Sequence, residues 1–262
     1  MMNIPSQWLA HIQQLLDTLQ EHAYVPYSAT PVAALLLLAD GSWIPGVRIE
    51  NASYPLLIPA LINALSTWQV HSSQPIQAIA LSRAFFPEEK DYVATFPELN
   101  PLLPASPSLL VHPEISFASP GQPVMPFQTF PPTTDGFQLA RQAAQHAFIP
   151  ESRFPVGCAL KLSENRWLLS ANVEHRDWTR GLCAERNALS TARSYGLSTI
   201  EAIYLSCPHS KGCTPCGACR QVLIELTPQV PIYLDHDEKH APLTPEILLP
   251  YSFTGKALGK MP

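Results

Sequence analysis

The sequence is poor in charge: 14% of its 262 residues are Asp, Glu, Lys or Arg, and the formal net charge is −5. It has no arginine-rich run or basic patch to follow a phosphate backbone, so no nucleic-acid partner is expected. Long apolar runs are missing too. The longest, from Val32 to Ala39, is far short of the ~20 residues of a membrane-spanning helix, so no membrane partner is expected either. The amino terminus, MMNIPSQWLAHIQQ, lacks the basic region, apolar run and cleavage site of a secretory signal, and a cytoplasmic location follows as the expectation. Cysteine is scarce, with six in the chain and four of them between Cys207 and Cys219. That crowding suits a metal or catalytic site better than a disulfide framework.

What the sequence does contain is a repeat. EHAYVPYSATPV from Glu21 aligns without gaps with QHAFIPESRFPV from Gln145, an offset of 145 − 21 = 124 residues. The same offset pairs Trp43 with Trp167, Glu50 with Glu174, NAL at 63–65 with NAL at 187–189, and QAIALS at 77–82 with EAIYLS at 201–206. It still pairs MPF at 125–127 with LPY at 249–251. One register kept across most of the chain marks a tandem duplication.

Both halves have the same coarse pattern. Amphipathic helices are predicted over 4–22 and 136–147, the first from the spacing of Trp8, Ile12, Leu15 and Leu19. Strands follow at 32–39 and 156–162 and at 43–49 and 167–173, then helices at 58–65 and 182–193 and strands at 78–81 and 202–205. This alternation implies helices packed on a shared sheet, an α/β fold. Ten prolines lie within 97–132. They separate the halves and break, in the first, the helix that 217–226 forms in the second. The junction ends near Pro131-Pro132-Thr133, with Thr134 or Asp135 as the next helix cap. Domains of 1–130 and 131–262 follow.

The chemistry concentrates in the second half. Cys216 and Cys219 have the spacing that lets two thiolates meet one zinc, and Pro215 suits a helix amino terminus, whose partial charge favours thiolate. Cys183 sits where the preceding helix starts, and three ligands leave a fourth position open for catalysis. Glu185 is placed to reach a water there, and Arg186 to offset the surplus negative charge. Other readings stay open: Cys213 could join these three in a closed zinc or iron–sulfur site, or the Cys-x-x-Cys could be a redox pair. Cys158 and Cys207 read as strand core residues. His175 and His209 read either as groups that support the site from behind its ligands or, more commonly for such residues, as loop histidines without a role.

Together, Cys183-Ala184-Glu185-Arg186 and Pro215-Cys216-Gly217-Ala218-Cys219-Arg220-Gln221 resemble the cytidine deaminase family of zinc enzymes. The resemblance implies a tandem pair of three-layer α/β/α domains, each with a mixed, roughly five-stranded sheet. It implies one zinc per chain on Cys183, Cys216 and Cys219, with Glu185 moving protons while an activated water attacks C4 of cytosine. It places Phe154 against the base, Asn172 and Glu174 on the ribose hydroxyls, and Ala184 beside the substrate. A small-molecule nucleoside is the implied partner, in a homodimer with four deaminase-like domains. Deamination of a related aminopyrimidine nucleoside or of nucleic-acid cytosine, and a non-catalytic metal-binding regulatory protein, are the alternatives.

One departure is informative. The family continues its Asn-x-Glu into Asn-Ala-Ser-Tyr, but here Glu174 is followed by His175-Arg176-Asp177-Trp178, and the missing string stands in the other half as Asn51-Ala52-Ser53-Tyr54. That half has Pro59, Leu61, Tyr92 and Thr95 where Cys183, Glu185, Cys216 and Cys219 stand, so it is expected to be metal-free. Thr30 and Arg48 replace Phe154 and Asn172, so no nucleoside is expected there. Ala52 and Tyr54 are expected to complete the catalytic pocket, from the same chain or from a dimer partner.

Overall fold

The computed structural model describes residues 3–210, 212–236 and 241–259. Helix α1 (Ser6–Gln20) buries Trp8, Ile12, Leu16 and Leu19 along one face. Leu16, rather than the expected Leu15, completes that stripe. Strands β1 (Ala33–Leu38) and β2 (Trp43–Val47), helix α2 (Ala60–His71) and strand β3 (Ile76–Leu81) follow. Helix α3 (Pro87–Val93) leads to the short strands β4 (Leu103–Ser106) and β5 (Leu109–Val111). The second half has β6 (Phe127–Thr129), α4 (Gly136–Ala144), β7 (Gly157–Leu162) and β8 (Arg166–Ala171). It continues with α5 (Ala184–Ser194), β9 (Ile200–Ser206), α6 (Gly217–Leu226), β10 (Ile232–Leu234) and α7 (Pro245–Leu248).

Every residue of β1 is buried because its two faces meet different helices. Ala33, Leu35 and Leu37 pack with the apolar stripe of α1, and Ala34, Leu36 and Leu38 with Ala60, Leu61 and Leu65 of α2. A strand covered on both faces reads as a continuous apolar run instead of an alternating one. In the second half, Cys158, Leu160 and Leu162 of β7 join Ala184 and Ala188 of α5, while Ala159 packs on Leu139 and Ala140 of α4. Gly157 lets α4 approach this strand, since a Cβ there would lie 1.9 Å from the carbonyl oxygen of Ala140. Asp135 caps α4 by accepting the N–H of Phe137 at 2.9 Å.

The two five-stranded sheets run β2-β1-β3-β5-β4 and β10-β9-β7-β8-β6. The second is mixed, because β10 lies parallel to β9 while its other pairings are antiparallel. The first is antiparallel throughout, which corrects the expectation of a mixed sheet in each half. The connections explain the difference. Between β9 and β10, α6 supplies the long crossover that a parallel pair needs. In the first half the chain instead passes along the edge as β4 and turns back as β5. The helix expected to be broken there, over 93–102 by the repeat, survives only as a 3₁₀ turn at Pro97–Leu99, since α3 ends at Val93. The proline-rich stretch is also not a bare linker, for β4, β5 and β6 all lie within it.

Helices α2 and α5 join the halves through buried polar groups. Asn63 Nδ2 donates to Val47 O at 3.0 Å, to Ser190 O at 3.2 Å and to Ser194 Oγ at 2.7 Å. Thr67 Oγ1 and Thr191 Oγ1 are 2.8 Å apart. Among the described residues, no helix is long and apolar enough to cross a membrane.

Candidate active site

The amino termini of α5 and α6 converge. Cys183 is the residue before α5, Cys216 the residue before α6, and Cys219 lies in the first turn of α6. The Cys183 and Cys216 sulfurs are 3.8 Å apart, and the three sulfurs lie within 4.8 Å of one another. A tetrahedral site with ~2.3 Å zinc–sulfur bonds has edges of about 3.8 Å, so the cluster has the size zinc requires. Without a metal, the Cys216 thiol is pushed well below the ordinary thiol range. Hydrogen bonds from Cys183 and then Cys219 are the main causes, helped by the backbone N–H groups of Cys219 and Ala218. Cys183 is pushed up, first by its hydrogen bond to Cys216, and Cys219 is pushed up, first by its bond to Cys183 and then by that to Cys216. Three sulfurs gathered at two helix amino termini, where the helix ends favour thiolate, suit a cation.

Glu185, in the first turn of α5, is buried at 4% exposure. Its carboxyl is pushed up to about 7, first by burial and then by the charge of Cys216, against hydrogen bonds from its own backbone N–H and from Cys219. A carboxyl poised near neutrality beside the cysteines can both take and return a proton. Arg186 turns toward the same place, and its buried Nε has no hydrogen-bond partner.

A cleft of about 620 Å³ opens onto Cys183 and is walled by Asn172, Glu174, His175, Trp178, Arg186 and Ala218 among others. Asn172 ties two segments together, with Oδ1 accepting from Val156 N at 2.8 Å and Nδ2 donating to Phe154 O at 3.0 Å. Glu174 accepts from the N–H groups of Glu151 and Ser152 at 3.0 and 2.9 Å and from the Ser152 hydroxyl. The duplicate survives in the first half, where Glu50 accepts from Tyr27 N, Ser28 N and the Ser28 hydroxyl. Even the left-handed residue recurs, as Ala29 with φ 52° and Arg153 with φ 54°.

The structure does not bring every expected residue to this cleft. Phe154 is on the adjoining loop, 40% exposed, and is not among the lining residues. The side chain of Ala184 is in the core behind the cysteines. Ala52 and Tyr54 line a separate cleft of about 680 Å³ with Arg48, Glu50, Gln221 and Phe253. There the Ala52 N–H donates to Glu225 of α6 at 2.8 Å, and Tyr54 stands 84% exposed. Within one chain these two residues do not reach the cysteine site. Cys213 is not free to bind metal, because it forms a disulfide with Cys207, a pairing that the reading of Cys207 as a simple core residue missed. Cys158 is buried in the core as expected.

Two residues of the site, Ser152 and Trp178, were given no role there by the sequence reading, although the repeat held the signal for both. Ser152 is the partner of Ser28, and Trp178, 85% exposed at the cleft mouth, is the partner of Tyr54 (54 + 124 = 178). His175, for which a supporting group was one of two readings, is the partner of Asn51 (51 + 124 = 175). Where the first half should hold the counterpart metal site, a cavity of about 270 Å³ is lined by Pro59, Leu61, Tyr92 and three arginines, Arg48, Arg83 and Arg180. Among the described residues, the Cys183, Cys216 and Cys219 group alone has metal-ligand geometry.

The sequence pattern described as "Cytidine and deoxycytidylate deaminase zinc-binding region" matches residues 133–234. A cytidine deaminase of Halalkalibacterium halodurans is 38% identical over 119 residues, which cover 45% of this chain and 90% of that protein. A cytidine deaminase of Mycobacterium tuberculosis is 38% identical over 86 residues, 33% of this chain and 65% of that one. Among solved structures, the cytidine deaminase from Burkholderia pseudomallei aligns with 33% identity and a TM-score of 0.42, over 45% of this chain and 96% of that chain.

Proposed function

Because the chain belongs to the cytidine deaminase family, we infer that it is a hydrolytic enzyme that converts cytidine and deoxycytidine to uridine and deoxyuridine, releasing ammonia, in pyrimidine salvage. The observation that carries this reading is the cluster of three sulfurs at zinc-binding distances with the buried carboxyl of Glu185 against it. Cys183, Cys216 and Cys219 would hold one zinc per chain, whose chemistry there is to acidify a water for attack on C4 of the base. Glu185 takes one proton from the attacking water and delivers it to N3 of the ring, then takes the remaining proton from the new C4 hydroxyl and delivers it to the amino nitrogen as the C4–N bond breaks. A carboxyl held near pH 7 can do each of these in turn. Asn172 and Glu174 are set to meet the ribose hydroxyls. Glu174 is already fixed by Ser152 and two backbone N–H groups, so little of its freedom is lost when the sugar binds. Phe154, on the loop adjoining the cleft, would lie against the base, and Ala184 backs the cysteines.

The same reading divides the chain into a metal-free domain over 1–130 and a catalytic domain over 131–262, each a sheet between helical layers, with β6 (Phe127–Thr129) of the catalytic sheet lying just before that boundary. It takes the working form as a homodimer with four such domains. The exposed Tyr54, with Ala52, would then complete the cleft of the other protomer, since neither reaches the cleft of its own chain. The decisive experiment follows the absorbance change of cytidine and deoxycytidine with zinc measured on the same sample. Turnover with about one zinc per chain supports the reading; zinc-loaded protein that leaves both nucleosides intact overturns it.

A further inference from the structure

The first-half positions that match two zinc-binding cysteines have not been left idle. Tyr92 and Thr95 stand 124 residues before Cys216 and Cys219 (92 + 124 = 216; 95 + 124 = 219), and both reach the second half. Thr95 Oγ1 donates to the Tyr92 carbonyl at 2.6 Å and lies 2.9 Å from His175 Nε2. A hydroxyl whose proton is already engaged accepts from the imidazole, so His175 has its proton on Nε2. Its Nδ1, with the Asp177 N–H at 3.0 Å and the Asp177 carbonyl at 3.3 Å, takes the shorter contact as acceptor. The imidazole also meets the rings of Tyr92 and Phe96, with centroids 5.1 and 6.2 Å away. From the same loop, Arg180 donates to the Glu88 carbonyl at 3.2 Å and lies over the Tyr92 ring at 5.3 Å.

All these contacts converge on one loop, and that loop is a wall of the catalytic cleft: Glu174, His175, Trp178 and Gly181 line it. We propose that Thr95, with Tyr92 and Phe96, is a positioning group for the catalytic half, so that the degenerate metal site of the first half now holds His175 and, through it, the wall that presents Glu174 and Trp178 to the nucleoside. This rests on the reading of that cleft as the nucleoside site. The loop has little regular structure beyond the 3₁₀ turn at Trp178–Arg180, so an anchor from outside decides how much ordering substrate binding must supply. Glu185 and Cys219 lie in the first turns of α5 and α6, with Cys183 and Cys216 just before them, whereas the hydrogen bond of Thr95 to this loop is to His175. Loosening it should therefore weaken substrate binding and spare the chemical step.

The test compares Thr95→Val with Thr95→Ser in the full zinc-loaded chain. Thr95→Val should raise KM for cytidine about three- to tenfold, the loss expected for one neutral hydrogen bond, with kcat within about twofold and zinc content unchanged. Thr95→Ser should restore KM. The ¹⁵N imidazole spectrum should show His175 as the Nε2–H tautomer in the wild type and a mixture of tautomers in Thr95→Val. An unchanged KM in Thr95→Val, equal impairment in Thr95→Ser, or a loss confined to kcat overturns the proposal. Should Thr95→Val fold poorly, His175→Phe keeps the ring packing and removes the bond, and an unchanged KM there overturns it equally. Wild-type turnover in the same assay tests the underlying nucleoside reading separately.

Discussion

Thr67 and Thr191 occupy equivalent positions of the two repeats (67 + 124 = 191), and they meet each other, hydroxyl to hydroxyl, at 2.8 Å inside the molecule. Two equivalent residues touch only where the repeats face each other about an approximate twofold axis, which here runs between α2 and α5. Thr67 also donates to Asn63 O at 2.9 Å, so the Thr191 hydroxyl is the donor to Thr67. Thr67→Val should cost about 1–3 kcal/mol, the penalty for orphaning a buried hydroxyl. The Thr67→Val, Thr191→Val double variant should cost no more than the worse single one, because the unpaired hydroxyl disappears. Urea unfolding measures both, and simple additivity would contradict this account.

Metal content should be about one zinc per chain, held in the second half. Cys216→Ala should lose most of it, whereas Cys213→Ser should keep it because Cys213 is paired with Cys207. Elemental analysis giving two equivalents, or zinc lost from Cys213→Ser alone, would show that the ligand set is wrong.

Glu185→Gln keeps shape and removes the proton carrier. Zinc and nucleoside binding should persist while kcat falls by ~10²–10⁴-fold or more, since one group serves several proton transfers. Retention of more than a tenth of wild-type activity would exclude Glu185 from that role.

Tyr54 is 84% exposed and lines a different cleft from Cys183, Glu174 and Trp178 of its own chain, so a role in catalysis requires a partner protomer. Tyr54→Ala and Tyr54→Phe should lower kcat/KM about ten- to a hundredfold with zinc content and Tm nearly unchanged. Sedimentation should show a dimer. Full activity in both variants, or an active monomer, returns the first half to a scaffold role.

His71 closes α2, and its imidazole is pushed down to about 4, first by burial and then by His146. The unfolded chain binds this proton below pH ~6.5 and the folded chain does not, so folded stability is full above that pH. As pH falls from ~6.5 to ~4, His71 should remove up to about 1.4 kcal/mol per pH unit. His71→Gln should flatten that part of the urea-midpoint profile relative to wild type; superimposable profiles would assign the acid sensitivity to other groups.

The sequence by itself determined the duplication, the main helices and central strands of each half and the grouping of cysteines with Glu185, because each is written locally, whereas β4, β5, β6 and β10 were not legible in it. Apolar spacing locates α1, prolines and Asp135 locate the start of α4, and a register of 124 residues needs no fold to be seen. It also exposed the lost ligands at Pro59 and Leu61, since a proline or leucine side chain offers no metal a lone pair. Only the tertiary structure decided which groups meet. Sheet direction in the first half depended on whether a long helix returned the chain, and the counterpart of α6 is reduced to a 3₁₀ turn at Pro97–Leu99. The fate of Cys213 depended on where β9 placed Cys207. Tyr54 matched a functional string, yet its position against α6 removes it from its own chain's cleft. His175 stood out only as a departure from the string that begins at Asn51, because its contacts come from Thr95 and Tyr92, 80 and 83 residues away (175 − 95; 175 − 92). Local propensity follows from the chain alone, whereas contacts across an interface between repeats exist only once both halves have packed.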